Sequence, residues 1–460
     1  MASVISFFYI YDFINRINNP YKITSSLLLD FSENEYTQVS QWKMHPIDNP
    51  GDWLANGLSI ADVNGDGFYD LLTNYEFGGR IRIAINPGPA ALKNTYLNKY
   101  WNAIDVAVIP NAESSTFSDL DNDGFFDIIV AHGIEHTPSG IKIIWGTSTG
   151  WNEPEPLPAS PPGLHFHYVR TYDIDLDGDT DIVAGGRASR IAGTNVARSG
   201  VTESLIYAGL RWFENPGKDC RNPNMWNMHI IDENIESGHG FEFGDIDGDG
   251  IDDIALCNSD WDTPQDSEKI VWYKNPGKGI DIYKKWQIYE IYRGSEFYTK
   301  EQLAIYDINR DSLNDIILHT EKSIYIFFQS ANKDNIAEFF LQKIEKPPFA
   351  CWPSRALEIA DINNDGSPDI IGALIHKNGK LPKDKAALFW MENVNGKWLT
   401  HAIKWGDGFL GLGRFNGEKW DQIVPLDLDK DGDIDIAANC EEYNRLRSII
   451  SVVWFENPLY

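Results

Sequence analysis

The residues that stand out for chemistry are carboxylates at fixed spacing. One nine-residue pattern, D-x-[DN]-x-D-G-x-x-D, recurs seven times in the 460 residues. The copies are DVNGDGFYD from Asp62, DLDNDGFFD from Asp119, DIDLDGDTD from Asp173, DIDGDGIDD from Asp245, DINRDSLND from Asp307, DINNDGSPD from Asp361 and DLDKDGDID from Asp427. Oxygen ligands at positions one, three and five wrap a hard cation, glycine at six permits the tight turn, and position seven can offer its carbonyl. The expected ligands are therefore Asp62, Asn64, Asp66 and Asp70; Asp119, Asp121, Asp123 and Asp127; Asp173, Asp175, Asp177 and Asp181; and Asp245, Asp247, Asp249 and Asp253. The last three loops add Asp307, Asn309, Asp311 and Asp315; Asp361, Asn363, Asp365 and Asp369; and Asp427, Asp429, Asp431 and Asp435. Up to seven structural Ca2+ ions are expected. The fifth copy departs most, with Ser312 in place of the glycine.

The loops are not helix-loop-helix calcium sites. An EF-hand closes on Glu at position twelve, whereas these close on Asp at nine. Each is followed by a strand-like apolar run, such as DIIVAH, DIVAGG, DIALCN or DIAANC, without helical period. So each loop joins two strands.

A second set of residues could do proton chemistry. In Leu164-His165-Phe166-His167-Tyr168 the two histidines alternate with apolar residues, so both point to one side of a strand. His239 holds the corresponding place in the next repeat, and Arg355 in a later one. Histidine serves as acid or base near neutral pH, and a histidine cluster can hold a transition metal, so a further divalent cation is a possibility there. His165, His167, His239 and Arg355 are the candidate catalytic group. His132, His136, Arg187, Arg190, Trp261, His319 and Trp420 are the candidate substrate contacts. An insertion from Arg187 to Gly209 reads as a lid or pocket wall.

Positioning these groups takes a repeat architecture. The loops recur every 54 to 72 residues, too long for a helical solenoid and suited to one four-stranded blade each. A second signature recurs downstream as RWFENPG (from Arg211), VWYKNPG (from Val271), FWMEN (from Phe389) and VWFENP (from Val453). The following strand opens on Trp, as in WNMHII, WQIYEI and WLTHAI. Each blade reads strand A, acidic loop, strand B, strand C, strand D. The last repeat stops before a D strand, while Gln41 to Ile47 (QWKMHPI) resembles one. The expected fold is all-β: a seven-bladed β-propeller with a calcium loop between strands A and B of each blade, the ring closed by the N-terminal segment. Residues 1–39 are an N-terminal extension and 40–460 a single propeller domain. All seven loops then lie on one face. The starts of strands A and the B-to-C loops lie on the other, where the histidines gather.

Charge excludes some partners. With 39 Lys plus Arg against 68 Asp plus Glu, the formal net charge is −29, which disfavours nucleic acid and anionic membranes. The seven loops hold 25 aspartates at ligand positions, so the acidity reads mainly as a metal requirement. The four cysteines form no CxxC pair. The apolar patch Val4 to Ile10 lacks a basic flank, and there is no N-x-Ser/Thr sequon, so a cytoplasmic location is expected. A monomer or dimer is expected, with a small-molecule or carbohydrate ligand.

The DxDxDGxxD loops followed by apolar strands resemble FG-GAP/VCBS repeats, which form seven-bladed β-propellers. With the W-F-E-N-P-G turns, the chain is similar to the propeller part of fungal aldos-2-ulose dehydratases and to ulvan-type polysaccharide lyases. That resemblance implies calcium in the loops and a lyase or dehydratase acting on a sugar. The same scaffold carries lectins and protein-binding heads, so a non-catalytic carbohydrate- or protein-binding propeller is the alternative. A cofactor-free cyclase of a natural-product pathway is another. No P-loop, GxGxxG or HExxH motif occurs in usable context.

A chelator should lower the melting temperature, and added calcium should restore it. A melting curve indifferent to both would contradict the metal reading of the loops.

Overall fold

A computed structural model of the chain describes residues 42–52, 54–92, 99–133, 139–161, 163–190, 205–236, 240–258, 268–294, 303–320, 323–330, 337–345, 352–375, 386–394, 397–405, 419–441 and 450–458. Seven small antiparallel sheets account for almost all regular structure. In blade 1, strand A (Ala55–Ala61) pairs with B (Asp70–Tyr75), B with C (Arg80–Ile85) and C with D (Asn102–Val108). The same A-B-C-D order recurs in the other six blades. The fold is a seven-bladed β-propeller. Strand D of blade 7 is Lys43–Asp48, paired antiparallel with Val452–Glu456, so the two ends of the described chain share one sheet.

Apolar burial lies between blades. The buried residues fall into seven clusters, one for each pair of neighbouring blades. Blade 7 packs on blade 1 through Leu428 and Trp454 against Ala55 and Leu71. Strands B are the most apolar and the most buried, as strands covered on both faces must be. Cys220, Cys257 and Cys440 are buried thiols outside any disulfide, small filler in this core. Cys351 and residues 1–41 lie outside the described residues. Among the described residues no helix is long and apolar enough to cross a membrane.

The ninth residue of each acidic repeat does structural work. All seven of these aspartates are buried, and each carboxylate accepts two backbone N–H groups. One comes from the second residue of its own loop: Val63, Leu120, Ile174, Ile246, Ile308, Ile362 and Leu428, at 2.9–3.2 Å. The other comes from a residue at the end of strand C or shortly past it: Asn86, Gly146, Asn215, Asn275, Gln329, Asn393 and Asn457, at 2.7–3.1 Å. The Asn of the W-F-E-N-P signature then reaches across to the neighbouring blade. Asn215 Nδ2 donates to the Leu120 carbonyl at 2.8 Å, Asn275 Nδ2 to Ile174 at 3.1 Å and Asn457 Nδ2 to Ile362 at 3.0 Å. Gln329 makes the same bond to Ile246 at 2.7 Å.

Within the loops the first aspartate caps the turn. In loop 1, Asp62 accepts from Asp66 N at 3.0 Å and from Gly67 N at 2.8 Å. Loop 5 keeps these bonds, Asp307 accepting from Asp311 N at 2.9 Å and Ser312 N at 2.8 Å. Ser312 therefore holds the left-handed backbone its glycine counterparts use, at φ +70°. A side chain there costs about 1 kcal/mol. Ser312→Gly should raise stability by about that amount in a denaturant melt. A destabilised variant would contradict this backbone assignment.

Candidate functional site

On the face opposite the acidic loops, the first residues of strands A come together. Strand A of blade 2 is Ala112–Ser118 and strand A of blade 3 is His165–Tyr172. Both carry a bulge. In blade 2 the pairing passes from Ala112↔His132 to Ser114↔Ala131, which leaves Glu113 without a cross-strand partner. In blade 3 it passes from Phe166↔Gly186 to Tyr168↔Gly185, which leaves out His167. A bulge re-aims the unpaired side chain. Here the two re-aimed side chains meet: His167 Nε2 lies 3.1 Å from Glu113 Oε2. His165 Nε2 stands 3.8 Å from Glu113 Oε1, beyond hydrogen-bond reach, and the two imidazole centroids are 5.6 Å apart. Asn56 of blade 1 donates Nδ2 to Glu113 Oε2 at 3.3 Å. Glu113, His165 and His167 are 4%, 5% and 2% exposed, so this is a desolvated cluster.

Electrostatics follow from that burial. Desolvation pushes the Glu113 carboxyl up, but the two imidazoles outweigh it and hold the group well below the usual carboxylate range. His132, cross-strand from Ala112, is pushed down to about 4 by burial and then by Lys142, so its imidazole is neutral.

The cluster occupies a position that recurs in the sequence. Six residues before the first aspartate of each loop stand Asn56, Glu113, His167, His239, Glu301, Arg355 and Asp421. All are polar and no blade repeats the next, apart from the paired histidines. Asp421 is fully buried, and Lys419 Nζ lies 2.9 Å from it and 2.6 Å from Glu441. Halfway along strands A lies a second polar level. Arg170 of blade 3 bonds Tyr168 Oη at 2.9 Å and ion-pairs with Glu242 of blade 4. Burial, then the Glu242 charge, push Glu358 of blade 6 up to about 8, against Arg170.

The structure places the sequence-derived residues unevenly. His165 and His167 are together, and Arg187 is the cross-strand partner of His165. His132 borders Glu113 through Ala112. Arg190, His319 and Arg355 lie in strands, while His136, His239 and Trp261 lie outside the described residues. Trp420 is fully buried in the core between blades 6 and 7, with Phe455 at 5.7 Å, which is a packing position and not an open platform. The insertion after Arg187 begins as a ribbon: Ala188–Arg190 pair with Leu205–Tyr207. Glu113 is not among the candidates read from the sequence. The signal was the spacing from Asp119, which matches that of His167 from Asp173. The Arg170–Glu242–Glu358 level was missed as well.

The acidic loops offer oxygen donors only. Three carboxylate ligand atoms lie within 4.8 Å of one another in Asp119/Asp121/Asp127, Asp173/Asp175/Asp181, Asp245/Asp247/Asp253 and Asp427/Asp429/Asp435. Glu113/His165/His167 meets the same distance criterion with a nitrogen-rich set.

A model of the FG-GAP-like repeat matches residues 119–184, which span the second and third acidic loops. The protein is a seven-bladed β-propeller that carries an FG-GAP-like repeat. No curated protein matches it. Among solved structures, the Tc holotoxin pore of Photorhabdus luminescens is similar at 16% identity and a TM-score of 0.37, over 78% of this chain and 15% of that one. The V. cholerae biofilm matrix protein Bap1 is similar at 10% identity and a TM-score of 0.36, over 91% of each chain. The propeller assignment itself rests on the strand pairing and on the FG-GAP repeat.

Glu358 gives the second polar level a pH signature. A carboxyl raised in the folded state favours folding below its unfolded-state pKa, and that contribution is lost as pH rises through about 8. Glu358→Gln keeps the uncharged form, so its melting temperature should gain on wild type as pH rises from about 5 to 8. A difference that does not change with pH would contradict the assignment.

Proposed function

We propose that this protein is a calcium-stabilised propeller enzyme with one asymmetric site on the face opposite the loops, a lyase or dehydratase acting on a sugar or a related small polar molecule. The observation that carries the reading is the buried His167–Glu113 contact at 3.1 Å, built by bulges in two adjacent blades. Glu113, held ionised, orients the imidazole and stabilises its protonated form. His167 then takes the proton next to a carbonyl or carboxylate. The C–H pair becomes a C=C bond, the β C–O bond breaks, and the oxygen leaves with a proton as water or alcohol. Arg187, the cross-strand partner of His165, is the guanidinium proposed for the enolate-like oxygen, with Arg355 a second candidate from the sequence. The polar residue at this recurring position differs from blade to blade, which favours one pocket over the repeated sites of a lectin-like propeller.

The loops fit calcium. Their donors are carboxylate and amide oxygens at positions one, three, five and nine, the hard set that suits Ca2+, and its role there is to neutralise and fix the turns. A second reading applies to the histidines. Two imidazoles and one carboxylate within 4.8 Å form a donor set for a divalent transition metal, in which case His165, His167 and Glu113 would be ligands and not a base.

The test is turnover of a panel of uronate-containing oligosaccharides and keto-sugars, followed by the ultraviolet absorbance of the new conjugated double bond. His167→Ala and Glu113→Gln should each lower kcat about 10²–10⁴-fold, while Asp62→Asn should change stability and not kcat. Unchanged kcat in His167→Ala would remove the base. Sugar binding without turnover by wild type would favour the lectin alternative. Activity lost to a transition-metal chelator and restored by that metal would establish the second reading.

A further inference from the structure

The seven acidic loops share a backbone but differ in what stands beside them. The residue just before the position that caps the ninth aspartate, at or near the end of strand C, is Ile85, Trp145, Glu214, Lys274, Phe328, Glu392 or Glu456 in blades 1 to 7. In blades 3, 6 and 7 it is a glutamate held by a strand-D histidine: His229 on Glu214 and His401 on Glu392 at 2.9 Å, and His45 on Glu456 at 2.8 Å. Each of these histidines packs on a strand-C tryptophan, Trp212, Trp390 or Trp454, with centroids 4.3–4.5 Å apart. Glu392 also accepts from Asn363, the third residue of its own loop, at 3.2 Å. So these glutamates add negative charge beside the loop.

Blade 4 reverses that sign. Lys274 replaces the glutamate, and Tyr289 replaces the histidine on Trp272, stacked at 4.4 Å. Lys274 Nζ ion-pairs with Asp247 and lies 2.8 Å from Asp249, the third and fifth residues of loop 4. Blade 2 reaches the same result by another route. Trp145 occupies the strand-C position, and the guanidinium of Arg221, from blade 3, sits over its ring at 4.7 Å. Arg221 ion-pairs with Asp121, lies 3.0 Å from Asp123, and donates to the Gly146 carbonyl at 3.4 Å. Those aspartates are again the third and fifth residues of their loop. By contrast, beside loop 3 the Lys278 ammonium bonds the Leu176 carbonyl, at 3.0 Å, and among the described residues it pairs with no carboxylate.

We propose that Lys274 and Arg221 are built-in counter-ions that take the place of calcium in loops 4 and 2, so that only the remaining loops depend on the free cation. The inference rests on the calcium reading of the loops. A tethered ammonium or guanidinium is present at high local concentration and must be displaced before a cation can bind. Two blades out of seven thereby keep their turns neutralised when calcium is scarce.

Native mass spectrometry of the whole chain at increasing calcium counts the bound ions. Wild type should hold two fewer than its seven loops. Lys274→Gln and Arg221→Gln should each bind one more than wild type, and the double variant two more. Lys274→Arg and Lys278→Gln should match wild type, and each variant's melting curve checks its fold. A full complement of seven in wild type, or equal counts in wild type and the folded Gln variants, would overturn the proposal and leave the calcium reading standing. No bound calcium in any form would overturn both.

Discussion

The architecture depends on one interaction repeated in every blade: a buried aspartate carboxylate gripped by two backbone N–H groups. One grip ties it to its own loop, the other to the end of the adjacent strand C. The neighbouring Asn side chain then bonds the next blade's loop at the very residue whose N–H is already engaged. Loop, blade and ring are thus locked through the same few atoms. Leaving such a carboxylate or its donors unpaired in a buried setting is costly, so one face of the disc can vary little. That face is also where the acidic charge is concentrated.

The opposite face is free of this constraint and varies. Bulges at the start of strand A in blades 2 and 3 set Glu113 and His167 off the ladder. Two neighbours present Glu113 and His167 to each other, out of water and at contact distance. A scaffold held rigid on one side can hold such a pair in fixed geometry on the other.

Much of this was legible in the chain. Asp at every ninth position, the W-F-E-N-P turns and the early QWKMHPI segment name the blades, their order and the sheet shared by both ends, because metal-type loops and strand alternation are local patterns. The bulges were not legible. One added residue flips the side that every following side chain faces, so alternation along blade 2 does not reveal the turn of Glu113 off the ladder. Trp420 misled for a related reason: its position near the functional face says nothing of which way the ring packs, and it packs into the core. The left-handed fourth residue of every loop, carried by Asn122, Leu176, Arg310, Asn364 and Lys430 as well as by glycines, also has no sequence signature. The Lys274 substitution was visible as VWYKNPG beside RWFENPG, but its meaning needed the loop beside it.

The central claim is a division of labour, with cations on one face and ligand chemistry on the other. A crystal structure of the calcium-loaded protein soaked with a turned-over sugar, recorded with anomalous data, tests it most directly. The account predicts anomalous peaks in the acidic loops and sugar density against Glu113, His165 and His167. Sugar density on the loop face, with none at the start of strands A in blades 2 and 3, would contradict it.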